Sequence, residues 1–562
     1  MIEVKGAEAI IRSLEEEGVE HMFGILGGSI MEVYDVLYDR GPQHILMRHE
    51  QCAAHAAEGY ARVSGKVGVC MATSGPGATN LVTGIADAHL DSAPIVALTG
   101  QVPNPLIGND AFQETDIIGI TMPITKHNFQ ITDADDIPET IKAAFKIAGT
   151  RRPGPVLVDL PKDIQQNRLK KKFRYPKDLR LPGYKEMKSG GHARQIKQAS
   201  EALMNAERPV MLIGGGVAIA DASSEVMKLS ASLNIPVAST LMSKGCFPED
   251  HPLSLGMTGM HGREAANLAI SKCDVLFSIG CRFSDRITGG IEYFAPEATV
   301  IHIDIDPSEI GKNVDVDIPI VGDAKLVLEN IIKTVGKLKT KKRTGWGKRI
   351  KEYKKEHAPV YDYDSKPIKP QSVMKEINRL INDKTIITTE VGQCQMWAAH
   401  YLNMKHPRTF ISSGGLGTMG SGFPFAIGAK VAKPDCEVID VASDGSFLMT
   451  GNDLATCVEE NIPVIVALLN NRYLGMVKQW QDLFYEKRRS HTSLGEVPDF
   501  VKYAKSFNAG GIRIEKTSEI ADAFKEALGA DIPYVLDFHI DPDEHVLPMM
   551  LPGGKPHEMI DR

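Results

Sequence analysis

The chain has 562 residues, 43% of them hydrophobic and 24% charged, with a formal net charge of −7. That length exceeds one ordinary core and predicts several domains, and the acidic balance gives no general attraction to nucleic acid or anionic membranes. No apolar run approaches the roughly 20 residues of a membrane span, so neither nucleic acid nor membrane is an expected partner.

The N-terminal stretch carries acids throughout and reads as an amphipathic helix, not a secretion signal, which makes the cytoplasm the expected location. Short β-rich runs then alternate with helical patterns. Candidate strands are Val67–Ala72, Ile95–Thr99, Val156–Leu160, Val210–Ile213, Val275–Ile279, Val300–Ile305, Ile386–Thr389, Val438–Ala442, Val464–Leu469 and Tyr534–Phe538. They are short and apolar on both faces, a pattern of parallel sheets covered by helices: an α/β chain. Lys162–His192 and Lys337–Pro370 break the pattern, being polar, basic and interrupted by Pro and Gly. Both read as solvated linkers, and cutting there leaves units over 1–165, 190–336 and 370–545 with a tail over 546–562. The eight cysteines (Cys52, Cys70, Cys246, Cys273, Cys281, Cys394, Cys436 and Cys457) form no CxxC pair. They read as free thiols, several in apolar runs, without a zinc site or a disulfide framework.

Four motifs carry chemistry. Arg48-His49-Glu50 follows an apolar stretch and opens a helical pattern; alone, such a Glu is an acid at a helix N-terminus. Ser74–Asn80 (SGPGATN) is a strand-to-helix turn built for close backbone approach. Gly415–Gly420 fits GxGxxG, follows the β-like RTFIS and precedes Asp440 by 20 residues (440 − 420), so a dinucleotide site is one reading. Finally, Val438–Ala442 runs into Ser443-Asp444-Gly445 and Val464–Leu469 into Asn470-Asn471, with 24 residues (446 to 469) between. That length suits one helix plus turns, which puts a carboxylate and an amide oxygen side by side at the C-terminal edge of a parallel sheet. Both are hard ligands suited to Mg²⁺ with a diphosphate; each dipeptide is also common in ordinary turns.

The Asp444…Asn471 spacing matches the signature of thiamine-diphosphate enzymes, and from about Gly6 to Met559 the chain resembles the acetohydroxyacid synthases among them. The segments that single out this family are Gly108–Asp116, Thr240–Gly262, Gly280–Gly290 and Asn470–Glu486. The resemblance implies three consecutive α/β domains: pyrimidine-binding, central FAD-binding and diphosphate-binding. It implies thiamine diphosphate, Mg²⁺ and a non-redox FAD as cofactors. Asp444, Asn471 and the carbonyl of Tyr473 would hold the metal. Gly392, Gln393, Gly417, Met419, Gly445, Ser446 and Met476 would contact thiamine diphosphate, with the Gly417 carbonyl accepting from its 4′-amino group. Glu50 would be the catalytic carboxylate on the pyrimidine. Gly214, Gly215, Met257, Gly259, Arg286, Asp304 and Asp323 would line the flavin. Gln113, Lys126, Arg286 and Trp480 would face substrate, Arg286 pairing with the acceptor carboxylate.

The implied reaction decarboxylates pyruvate and condenses the remaining unit with a second pyruvate or with 2-oxobutyrate, on the route to branched-chain amino acids. Glu50 and Asp444 lie on different domains and in this family meet across a dimer interface. The resemblance thus implies a homodimer with shared sites, and leaves room for a homotetramer and a small regulatory subunit. Three positions depart from the family pattern: Gly24–Gly28 (GILGG) lacks a proline, Cys394 replaces a His near the diphosphate, and Ser443 replaces a Gly. The loss at 394 is expected to weaken cofactor binding unless Gln393 compensates. The alternatives on the same scaffold are a 2-keto acid decarboxylase or lyase, pyruvate oxidase, or a low-activity paralogue.

Overall fold

Runs that are apolar on both faces can be stable only when both faces are covered, and the fold meets that demand three times. The computed structural model describes residues 4–185, 189–336, 344–358, 365–555 and 558–561. Its first sheet contains β1 (His21–Gly24), β2 (Gln43–Leu46), β3 (Gly68–Ala72), β4 (Ile95–Gln101), β5 (His127–Gln130) and β6 (Val156–Pro161). The second contains β7 (Pro209–Ile213), β8 (Val237–Ser239), β9 (Ser254–Met257), β10 (Val275–Ile279), β11 (Thr299–Asp304) and β12 (Ile318–Val321). The third contains β13 (Thr385–Thr389), β14 (Phe410–Ser412), β15 (Glu437–Ser443), β16 (Ile465–Asn470), β17 (Gly510–Ile514) and β18 (Tyr534–His539).

All strand pairs within these sheets are parallel. The ten predicted strands are all present, at boundaries within two residues of those expected. The first sheet runs β2-β1-β3-β4-β6-β5 and the third β14-β13-β15-β16-β18-β17, so the outer units share one topology. The central sheet runs β12-β11-β10-β7-β8-β9, the doubly wound order in which dinucleotides bind where β7 and β10 diverge.

The outer units are welded by a helix pair. Glu50–Ser64 follows β2 in the chain, covers β1 and β3, and packs on Gly422–Ala432 of the third unit. A Cβ on Gly428 would lie 1.9 Å from the Ala56 carbonyl oxygen, and one on Gly59 would lie 2.4 Å from that of Phe425. These two helices touch backbone to backbone.

The two basic stretches are not plain linkers. Lys162–Gln166 is helical, and the chain beyond it folds back on the first unit, where Tyr175 donates to Glu17 (2.6 Å) and Phe173, Leu181 and Tyr184 pack on the core. Thr344–Glu356 is a helix whose Trp346, Ile350 and Tyr353 are buried against the central unit, with Trp346 Nε1 donating to the Pro209 carbonyl at 3.1 Å. Apolar side chains at one helical face explain the correction: the charges cover the other face. The rest of that stretch, 337–343 and 359–364, lies outside the described residues. The tail contributes β19 (Met549–Met550) and β20 (Met559–Ile560), a short antiparallel pair. Among the described residues no helix is long and apolar enough to cross a membrane, and all eight cysteines are free thiols, seven of them buried.

Candidate active site

A cavity of about 1000 Å³ opens at the C-terminal edges of the second and third sheets, with Leu90–Ser92 and Gly149–Pro153 of the first unit along one side. At its central-unit end two glycine turns meet. A Cβ on Gly214 would lie 2.1 Å from the Gly280 carbonyl oxygen, and one on Gly280, at φ +58°, would lie 2.6 Å from Gly216 Cα. Only glycine permits this approach, and it leaves a narrow crevice between the ends of β7 and β10.

Gly214, Gly215, Met257, Arg286, Asp304 and Asp323 all line the cavity. Gly259 lies just behind: it exchanges two hydrogen bonds of 2.9 Å with the Asn267 side chain, and a Cβ on it would meet the Arg286 carbonyl oxygen at 2.4 Å. Its lack of a side chain sets where the Arg286 backbone runs. Burial pushes the Asp304 carboxyl up to about 6, although one oxygen accepts from the Asp306 amide at 2.9 Å. Asp323 caps the helix Ala324–Val335 through the Leu326 amide (3.1 Å). A doubly wound switch point with a glycine cradle and acids at neighbouring strand ends fits an adenine dinucleotide such as FAD.

The third-unit end of the cavity gathers the ends of β13, β15 and β16. Gly392, Gln393, Gly417, Met419, Gly445, Ser446, Asn471, Tyr473, Met476 and Trp480 line it. Asp444 is the first residue of the helix that follows β15; it is 3% exposed, and its Oδ1 has no hydrogen-bond partner. Burial pushes this carboxyl up to about 7, against the pull of backbone amides. Asn471 is held by both ends, its Nδ2 donating to Gln393 Oε1 (3.1 Å) and its Oδ1 accepting from the Tyr473 amide (3.0 Å). Gln393 in turn donates to Gln479 at 3.0 Å. The Ser446 hydroxyl is buried and has no partner. An orphaned buried carboxylate oxygen beside a fixed amide and an unpaired hydroxyl fits a hard divalent cation with a diphosphate.

Two of the three departures from the family pattern, Ser443 and Cys394, pack together here. Ser443 donates its backbone N–H to Glu390 Oε1 (2.9 Å), and Glu390 lies against Asp440, so burial first and each other's charge second raise the Glu390 carboxyl. Cys394 is buried with its Sγ 3.5 Å from the Glu390 carbonyl oxygen, and burial pushes its thiol up. It stays neutral.

Glu50 and Gln113 are brought together elsewhere, at the C-terminal edge of the first sheet. Glu50 Oε2 accepts from Asn80 Nδ2 (3.0 Å), a Cβ on Gly77 would touch Glu50 Oε1 at 3.4 Å, and one on Gly75 would meet the Gln113 backbone oxygen at 2.9 Å. The Ser74–Asn80 turn is the floor of this corner, and the GILGG loop passes beside it, with Gly27 against Thr73. Neither Glu50 nor Gln113 lines the cavity of its own chain. Lys126 is also away from the cavity: its ammonium donates to the Ile147 carbonyl and, at 2.8 Å, to that of Thr150, capping the helix Ile137–Gly149.

The GxGxxG turn follows edge strand β14 in the third sheet, and Asp440 is fully buried within β15, accepting from Thr388 at 2.9 Å. It cannot reach a ribose beyond the strand ends, which disposes of the dinucleotide reading at this turn. Among the cavity residues that the motifs do not reach, Arg152 has the most polar contacts to other units. Arg152 donates to Glu309 (2.7 Å), Asp306 (3.3 Å) and Ser92 (2.9 Å), bolting the first unit to the central one at the rim. Its Arg-Arg-Pro-Gly context between a helix and a strand was the available signal.

Comparison with known proteins gives the same organisation. Residues 4–120 match the thiamine pyrophosphate enzyme N-terminal TPP binding domain, 196–331 the central domain and 390–538 the C-terminal TPP binding domain. The chain is 58% identical to the probable acetolactate synthase large subunit of Methanocaldococcus jannaschii, over 98% of this chain and 94% of that protein. It is 55% identical to the probable acetolactate synthase large subunit of Methanococcus aeolicus, over 99% and 95%. It is 45% identical to the acetolactate synthase large subunit of Haemophilus influenzae, over 100% and 98%. The chain belongs to the acetolactate synthase large-subunit family of thiamine pyrophosphate enzymes.

Proposed function

We propose that the chain decarboxylates pyruvate and joins the remaining two-carbon unit to a second pyruvate, giving 2-acetolactate, or to 2-oxobutyrate, giving 2-aceto-2-hydroxybutyrate. These are the first shared products toward valine, leucine and isoleucine. The observation that carries this reading is one cavity with three fittings: an oxygen-rich corner at Ser446 and Asn471 with the buried Asp444 directly behind it, a dinucleotide crevice at Gly214, and Arg286 with Trp480 on its wall. The names of the relatives point the same way.

Thiamine diphosphate, when bound, supplies the electron sink for decarboxylation. Asp444, Asn471 and the Tyr473 carbonyl would hold Mg²⁺, while Gly392, Gln393, Gly445 and Ser446 would take the diphosphate. The Gly417 carbonyl would accept from the aminopyrimidine, with Met419 beneath it and Met476 alongside. Glu50 would hold and move the proton at the pyrimidine ring. Because Glu50 is absent from the cavity of its own chain, it would reach the site of a second copy, with Gln113 beside it near the entrance. FAD would lie along Gly214, Gly215, Met257, Asp304 and Asp323 without redox work.

Arg286 would pair with the carboxylate of the acceptor. Its guanidinium is over half exposed and its ion partner, Asp285, stands 3.7 Å away in solvent, so it is free to swing onto a ligand. Trp480 offers an apolar wall for the extra methyl of 2-oxobutyrate, a contact worth about 1–3 kcal/mol of preference. We read Lys126 as a positioning residue that holds the end of the helix Ile137–Gly149.

The test is to supply the purified chain with Mg²⁺, thiamine diphosphate, FAD and pyruvate and to assay acetolactate. Product formation is expected. No acetolactate and no loss of pyruvate would sink the reading.

A further inference from the structure

Behind the first-unit side of the cavity, which Asp91 reaches, five side chains form a buried polar cluster: His55, Glu58 and Arg62 on the helix Glu50–Ser64, and Asp87 and Asp91 on the helix Val82–Asp91. His55, Glu58 and Asp87 are wholly buried and Asp91 nearly so. Arg62 reaches Glu58 and Asp91 at 3.3 Å each, and His55 Nδ1 stands 3.5 Å from Asp87 Oδ2. Glu58, Asp87 and His55 bring ligand atoms within 4.8 Å of one another. However, Arg62 already supplies positive charge there, and burial favours neutral forms for the rest.

The cluster grips a single segment of the third unit. Arg62 donates to the Ser412 carbonyl (2.8 Å), and Asp91 Oδ2 accepts the Gly414 amide (2.9 Å). Ser413 Oγ accepts both the Gly417 amide (3.0 Å) and the Thr418 amide (2.9 Å), and donates to Asp87 Oδ1 at 2.7 Å. A hydroxyl has one proton and two acceptor sites. With both acceptor sites filled by amides, the Ser413 proton can only go to Asp87. The Asp87 carboxyl group therefore fixes the rotamer from which Ser413 holds the turn.

The consequence reaches the cavity through one peptide plane. The Thr418 N–H and the Gly417 C=O belong to the same trans peptide and point in opposite directions. Since the N–H points at Ser413, the Gly417 carbonyl must point away from Ser413 and from the cluster behind it. Gly417 lines the cavity at φ +76°, a conformation that most residues would leave.

We propose that Asp87, acting through Ser413, is a positioning residue that aims the Gly417 carbonyl at the cofactor's aminopyrimidine. This rests on the thiamine-diphosphate reading above. The carbonyl can favour the reactive tautomer only if its direction is fixed beforehand, and preorganised acceptors of this kind are what active sites use in place of mobile water. The turn borders the diphosphate corner, but the bonds of Ser413 and Asp87 go to the turn and to each other, and Asn471 is held by Gln393 and Tyr473, so cofactor affinity and cofactor activation should separate.

The experiment compares parent, Ser413→Ala and Asp87→Asn holoenzymes. Two quantities are read: thiamine diphosphate affinity, by titration calorimetry, and hydrogen–deuterium exchange at C2 of the bound cofactor, by quenched-flow NMR. Ser413→Ala is expected to slow C2 exchange at least tenfold while affinity changes less than threefold. Asp87→Asn keeps the shape of the site, guards against misfolding of the first variant, and is expected to slow exchange severalfold. Exchange within twofold of the parent in the folded variants would overturn the proposal. A parent that binds no thiamine diphosphate would overturn the cofactor reading itself.

Discussion

Trp480 and Asp482 lie two residues apart on the helix Gly475–Phe484, and they face opposite ways. Met476, Val477 and Trp480 line the cavity. On the other side Lys478, almost fully buried, donates to the Pro542 carbonyl (2.7 Å) and to Asp543 (2.8 Å). Asp482 collects Arg489 through two bonds of 2.7 and 2.9 Å, with His545 at 3.3 Å and Lys478 at 3.5 Å. The charged side thus ties the helix to the following loop and to the tail, and fixes how the tryptophan is presented. Burial alone would push the Asp482 carboxyl up, but bonds from Arg489 and His545 and the charge of Lys478 outweigh it and hold it at about 2.

A carboxyl with a folded value below its unfolded one stabilises the fold above about pH 4, the ordinary carboxylate value, and that stability fades as pH falls toward the folded value. In the parent, amide protection of residues 485–491, corrected for intrinsic exchange, should therefore decline as pH is lowered below about 4. Asp482→Asn should already lose on the order of 2 kcal/mol of local protection at neutral pH. Its protection should then stay flat across the same window, as read by hydrogen-exchange mass spectrometry. A parent-like acid decline in the variant would contradict this role.

The helix pair Glu50–Ser64 and Gly422–Ala432 shows how small residues set an element's position. With backbone oxygens standing where a Cβ on Gly59 or Gly428 would go, neither neighbour can yield cheaply. Gly428→Ala should cost about 3 kcal/mol by overpacking and lower the thermal midpoint. Gly345→Ala, in a helix where nothing stands within 4 Å, should change stability by less than about 0.5 kcal/mol. Calorimetry of both variants checks the contrast.

The strands that could be read from residues alone are those buried on both faces, such as β10 and β16. Those overlooked are short, or lie toward sheet edges and are partly exposed: β2 and β5, with half-buried patterns, and β17, which opens on two glycines. The helix Thr344–Glu356 was hidden by its lysines, although Trp346, Ile350 and Tyr353 stand at i, i+4 and i+7, the spacing of a buried face. Site residues were legible where they cluster at strand ends, as at Asp444 and Asn471. The support under Gly417 was not, because Arg62, Asp87 and Ser413 come from three separated segments that only the tertiary fold assembles.

At the scale of the molecule, the placement of Glu50 outside its own cavity makes a prediction about assembly. If Glu50 serves the site of a second copy, each site of a two-fold dimer draws its carboxylate from one chain and its metal corner from the other. Glu50→Gln removes the proton-holding group, which should cost about 10²-fold or more in rate, and Asp444→Asn removes a metal ligand. Each variant alone should then be nearly inactive. Chains of the two variants, mixed in equal amounts and allowed to exchange, should form hybrid dimers in half the population. Every hybrid pairs the intact Glu50 of one chain with the intact Asp444 of the other at one of its two sites, and places both defects at the other. The mixture should therefore recover about a quarter of the parent activity. Sites completed within one chain would recover none, because every chain carries a defect. The recovered fraction, with dimer formation checked by light scattering, decides between a shared site and a self-contained one.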